Sequence, residues 1–168
     1  VRPIKKITLW NRTHSRAVST AFALHAAGLQ PEIAEDLETA VRDADIVSCA
    51  TLATDPLVRG EWLKKGAHVD LVGSFTPKMR EADDAAIRRS TVYVDTRAGA
   101  PKGSGDIAIP LRKKLLKPSD IKGDLFELAR GKAKGRRRKD EITLFKSVGT
   151  AIEDLAAARL VWQALRRP

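Results

Sequence analysis

A chain of 168 residues with 43% hydrophobic and 31% charged side chains can bury a core, which argues against a disordered segment. Its one cysteine, Cys49, excludes a disulfide-stapled fold and suggests a reducing, cytoplasmic setting, and no window reaches the ~20 apolar residues of a membrane span. The formal charge of +10 raises the question of nucleic acid, yet charge alone describes an attraction rather than a function.

In chain order, a short strand is predicted over Lys6–Trp10, ended by Asn11-Arg12-Thr13. Ser15 or Thr13 can cap a helix from Arg16 to about Ala27, with Gly28 as its stop. A weak strand, Glu32–Ala34, and a short amphipathic helix, Leu37–Arg42, follow. Ile46–Cys49 and His68–Val72 are largely apolar runs, read as parallel strands covered on both faces, and each leads into a loop of small residues. A turn at Glu61–Leu63 separates them.

Glu81–Arg89 is expected to be helical, with Glu81 and Asp83 as caps and acids in the first turn where the helix dipole favours them. Thr91–Val94 is a further strand, Asp106–Leu111 an irregular piece, and Ile121–Arg130 a helix. The basic segment Gly131–Lys139 is a loop, Ile142–Phe145 a last strand, and Val148–Leu165 a long helix capped by Ser147. Ala151, Leu155, Ala158 and Trp162 give that helix an apolar face needing a partner.

Strands alternating with helices at this spacing predict an α/β fold, a Rossmann-type doubly wound parallel sheet. Residues 1–30 contain no strand followed by a Gly-rich turn, so the first strand and its loop are expected to precede this sequence. Cys49 is expected to be a small core residue, because His14, His25 and His68 show no ligand spacing; no metal is called for. Lys113, Lys114, Lys117 and the run Lys132–Lys139 lack aromatic residues for base stacking, so they suggest a solvated loop drawing anionic metabolites, with no nucleic-acid partner. At the end of a strand in such folds, an Arg in place of an acid accommodates the 2′-phosphate of NADP, and here Asn11-Arg12 carries no carboxylate nearby.

The stretches WNRT, ATLATDP, GEWLKKGAHVDLVG, FTPKMRE and DEITLFKSVGTAIEDLAAA resemble the ornithine cyclodeaminase/mu-crystallin family, from Ile7 to about Val161. The resemblance implies that residues 1–145 form most of a dinucleotide-binding domain, while 146–168 return to a dimerisation domain. It further implies an NADPH site, preferred over NADH, in which Asn11, Arg12 and Thr13 meet the 2′-phosphate. Thr51 and Leu52 would lie beneath the dinucleotide, Val72, Gly73 and Ser74 near the nicotinamide, and Lys146 and Ser147 in a loop closing from the other side. By resemblance the protein is a homodimer acting on a small cyclic imino acid.

One departure narrows the chemistry. Cyclodeaminases of the family carry an Asp that handles the substrate amine and the attacking water, and this sequence has Phe75 there, two residues before Pro77. A phenyl ring accepts no proton and excludes water, so hydrolytic loss of ammonia is disfavoured while hydride transfer to C=N remains open. The pattern resembles ketimine reductases, which convert Δ1-pyrroline-2-carboxylate and Δ1-piperideine-2-carboxylate to proline and pipecolate. The other expectations are ornithine cyclodeamination or amino-acid dehydrogenation on the same fold, and a non-enzymatic NADPH binder.

Overall fold

The structure is a computed structural model describing residues 3–166. The chain forms two compact units, the first ending at Ala44 and the second beginning at Asp45.

In the first unit β1 (Ile7–Leu9) pairs in parallel with β2 (Pro31–Ile33), and α1 (His14–Ala26) connects them. The helix stops where predicted: Gly28 adopts φ +83, a region open to glycine, and its N–H returns to the His25 carbonyl. At the start, the Thr13 hydroxyl makes no cap bond. Instead the Asn11 side-chain oxygen accepts from the Thr13 N–H at 2.9 Å and bends the chain there. The second helix, α2 (Leu37–Asp43), is capped by Asp36, whose carboxylate accepts from the Thr39 N–H at 2.7 Å.

The second unit holds five parallel strands: β3 (Ile46–Cys49), β4 (His68–Leu71), β5 (Ser90–Val94), β6 (Ile121–Asp124) and β7 (Ile142–Lys146). Their order is β3-β4-β7-β5-β6, so the last strand made occupies the centre. The fold is therefore α/β with parallel, Rossmann-type pairing, as expected. Val69 and Leu71 of β4, Val92 and Val94 of β5 and Leu144 of β7 are all but inaccessible. Burying side chains of this size contributes about 1.5–3 kcal/mol each relative to exposure.

Local expectations failed where tertiary context overrode pattern. Asp106–Leu111 is not irregular but lies in a helix, α5 (Gly105–Arg112), which follows the single turn α4 (Ala100–Gly103). Pro110 hid it; the ring costs one helical N–H, and the Ser104 hydroxyl compensates at the start by accepting from the Asp106 N–H. Ile121–Asp124 is strand rather than helix, because pairing with β5 outweighs the helical spacing of Ile121, Leu125 and Leu128. Only α6 (Leu125–Ala129) is helical there, capped reciprocally by Asp124 and Glu127.

The helix expected from Glu81 begins later, as α3 (Asp84–Arg89), with Asp83 accepting from the Ala86 N–H at 2.7 Å. Glu81 is no cap at all. Likewise α7 (Ala151–Leu165) starts after Gly149, which sits at φ +85, and its N-cap position is Thr150 rather than Ser147. No described residue of α7 is buried, and Ile152, Leu155, Leu160, Val161, Trp162 and Leu165 stand exposed. No helix among the described residues is long and apolar enough to cross a membrane.

Candidate functional site

Parallel strands align their C-terminal ends, and here the register puts Cys49, Leu71, Lys146, Val94 and Asp124 in one row across the sheet. The loops leaving that row form the edge where open α/β sheets bind ligands. Thr51 and Leu52 follow β3; Val72, Gly73, Ser74 and Phe75 follow β4; Asp95 follows β5; Ser147 follows β7.

Beneath the edge lies a polar cluster. The Glu81 carboxylate, fully buried, accepts from the Thr51 N–H at 2.6 Å and hydroxyl at 2.8 Å through Oε1. Its Oε2 accepts from the N–H groups of Gly73 at 2.8 Å and Ser74 at 3.3 Å. Gly73 is required by this arrangement: a Cβ there would overlap the Thr51 backbone and the Glu81 carboxylate, well inside normal contact. Asp106, also fully buried, holds the N–H groups of Glu81 and Ala82 on Oδ1 at 2.9 and 3.0 Å. Its Oδ2 has no hydrogen-bond partner among the described residues and lies 4.0 Å from Lys146 Nζ, which donates to the Leu71 carbonyl at 3.0 Å. Burial pushes the Asp106 carboxyl up and the Lys146 ammonium down, so each is drawn towards its neutral form. Burial also raises the Cys49 thiol, to about 12, with Glu81 and Asp106 adding to the effect.

A third buried carboxylate anchors the way into α7. Asp95 Oδ2 accepts from the Val148 and Gly149 N–H groups at 2.7 and 2.9 Å and from the Ser147 hydroxyl at 3.2 Å. Above these groups the edge is apolar: Leu52, Val72 and Phe75 are 75%, 46% and 57% exposed.

The site residues expected from sequence thus fall into two groups. Asn11, Arg12 and Thr13 lie together in the first unit, with Arg12 exposed after the bend that Asn11 makes. Thr51, Leu52, Val72, Gly73, Ser74, Phe75, Lys146 and Ser147 come together at one edge of the second. Within that group Ser74 and Lys146 turn inward; the Ser74 hydroxyl donates to the Met79 carbonyl at 2.6 Å and lies 2.9 Å from the Ser104 hydroxyl. Both side chains therefore support the edge from below. His68 is half-buried against Thr143, and Cys49 is buried in the core as expected. Sequence reasoning missed Glu81, Asp95 and the part Asp106 plays, since nothing in a charged stretch marks one acid for burial. No group of three or more His, Cys, Asp or Glu among the described residues could hold a metal ion.

The model of the ornithine cyclodeaminase/mu-crystallin family matches residues 1–167. A Δ1-pyrroline-2-carboxylate reductase of Paracoccus denitrificans is 38% identical over 94% of this chain and 50% of its own length. The ketimine reductase mu-crystallin of Mus musculus is 38% identical over 95% of this chain and 47% of its own. Among solved structures, Thermococcus litoralis Δ1-pyrroline-2-carboxylate reductase in complex with NADH and L-proline superposes with a TM-score of 0.92 at 35% identity, over 97% of this chain and 51% of that one. The chain spans about half the length of the relatives it matches.

Proposed function

The chain belongs to the ornithine cyclodeaminase/mu-crystallin family, and from that premise we propose that it carries most of the nicotinamide-cofactor domain of a reductase acting on cyclic ketimine carboxylates. The observation that carries the reading is the ledge of Leu52, Val72 and Phe75 on the C-terminal edge of a parallel sheet. Aromatic and aliphatic surface there suits a flat nicotinamide ring, and the relatives named as pyrroline-2-carboxylate and ketimine reductases supply the substrate class.

When bound, a reduced nicotinamide would supply the hydride that reduces the carboxylate-bearing carbon of the substrate iminium, the C=N π pair moving to a nitrogen that keeps its proton, to give proline or pipecolate. Phe75 contributes by walling the reacting carbon from water and supplies no proton. Orientation provides most of the acceleration, as the reaction needs no nucleophile from the protein. Cyclodeamination on this chain would need a carboxylate from elsewhere, since position 75 holds Phe.

Arg12 adds a preference for NADP(H). Its guanidinium is exposed after the Asn11 bend, and a charge-assisted bond to the 2′-phosphate contributes about 1.5–3 kcal/mol, one to two decades in affinity. NADH in the T. litoralis reductase makes this preference a property argued from Arg12 alone. We assign residues 1–145 to the cofactor domain and 146–168 to a helix that joins a dimerisation domain. The exposed apolar face of α7 supports a homodimer. The direct test incubates the protein with Δ1-pyrroline-2-carboxylate or Δ1-piperideine-2-carboxylate and NADPH and follows loss of dihydronicotinamide absorbance. Turnover of neither imine would overturn the proposal.

A further inference from the structure

We infer that Glu81 is a positioning residue for the nicotinamide half of the cofactor, an inference that rests on the dinucleotide reading above. The carboxylate is inaccessible to solvent, and each oxygen serves a different loop. Oε1 takes both donors of Thr51, in the loop after β3; Oε2 takes Gly73 and Ser74, in the loop after β4. One side chain therefore sets the separation of the loops that present Leu52 on one side and Val72 and Phe75 on the other. Glu81 is itself held: its N–H donates to Asp106, and its carbonyl accepts from the Leu57 and Val58 N–H groups, each at 2.9 Å.

The same bonds decide what the ledge can receive. Backbone N–H groups just beyond strand ends commonly cradle phosphate oxygens. Here those of Thr51, Gly73 and Ser74 are turned inward and spent on Glu81. The surface above keeps apolar side chains and no free donor from these three residues, which matches an uncharged ring and not a phosphate. Glu81 thus selects by consuming donors as well as by spacing loops.

Glu81→Gln isolates the effect. Whichever way the amide is turned, an NH2 group faces at least one backbone N–H in place of an oxygen, so the bond to Thr51 N or those to Gly73 N and Ser74 N are lost. Binding of NADPH and of 2′-phospho-ADP-ribose, which lacks nicotinamide, is measured by calorimetry for wild type, Glu81→Gln and Glu141→Gln. Glu141 is a carboxylate near the opposite ends of the strands, bonded to Thr91 and the Arg137 and Arg138 N–H groups, and it controls for general loosening. The expected result is about tenfold or greater weakening of NADPH by Glu81→Gln, with 2′-phospho-ADP-ribose within about twofold of wild type and Glu141→Gln silent on both. Equal weakening of both ligands by Glu81→Gln, or none of either, overturns the inference. If Glu81→Gln does not fold, Thr51→Ala removes one of the four donors and is held to the same criterion, with a shift of about threefold. Failure of the wild type to bind any nicotinamide dinucleotide would instead overturn the function proposed above, and this inference with it.

Discussion

Gly73→Ala is a sharp test of how the edge is built. A methyl at this position meets the Thr51 N and O atoms and Glu81 Oε1, all inside 3.0 Å, whereas relaxed contacts lie at about 3.5 Å or more. Two of these atoms are backbone, so no side-chain rotation relieves them, and the loops after β3 and β4 must part by on the order of 1 Å. Forced overpacking of this kind costs about 1–3 kcal/mol. Parting the loops also stretches the Glu81 bonds now at 2.6–2.8 Å, and a buried carboxylate that loses one donor costs about 1–3 kcal/mol more. The combined expectation is roughly 2–6 kcal/mol, measured as a fall in the urea midpoint at unchanged slope. The folded fraction should also lose NADPH affinity. A loss under about 1 kcal/mol would show that the two loops are not fastened through Glu81, and the account of the edge would be refuted.

The other predictions follow from single side chains. Arg12→Ala should lower the ratio of NADPH to NADH affinity by about ten- to a hundredfold, read from paired titrations, while NADH binding itself changes little. His68 is held below its ordinary 6.5, first by burial and secondarily by Arg136, while Asp70 opposes them. A depressed folded value means its stabilising contribution is full above pH 6.5 and is lost as pH falls through that lower value. The stability of His68→Asn, measured by urea titration, should therefore depend less on pH between about 7 and 5 than that of wild type. Cys49, with its thiol near 12, should resist iodoacetamide in the native protein at about pH 8 and react fully once unfolded. Mass spectrometry distinguishes the two states.

How far these features were legible differs by kind. The runs Ile46–Cys49 and His68–Leu71 announced two strands through their aliphatic residues, but only β4 is well covered; β3 lies at the edge of the sheet with Ile46 43% exposed, so the expected cover on both faces fails there. The ledge residues Leu52, Val72 and Phe75 were named through the family resemblance, not through any local pattern. Helix α5 was hidden by Pro110, whose cost is real but smaller than the packing that offsets it. The strand Ile121–Asp124 was hidden by local spacing that suited a helix, and only its partner β5 decides otherwise. Glu81 was beyond reach for a deeper reason. Its donors at Thr51 lie thirty residues away in sequence, and its acceptor role exists only once two loops are folded together. A charged residue carries no local mark of such a destination.

The placement of β7 has a consequence for how the molecule is made. Until residues 142–146 emerge, β4 and β5 have no common neighbour, and each presents an open row of backbone donors and acceptors to its surroundings. The pairs β3-β4 and β5-β6 must wait on the ribosome as separate sticky ribbons, and the closing event spans most of the unit in sequence. A chain cut short before residue 142 would lack the central strand, leaving β4 and β5 with unpaired edges that invite aggregation.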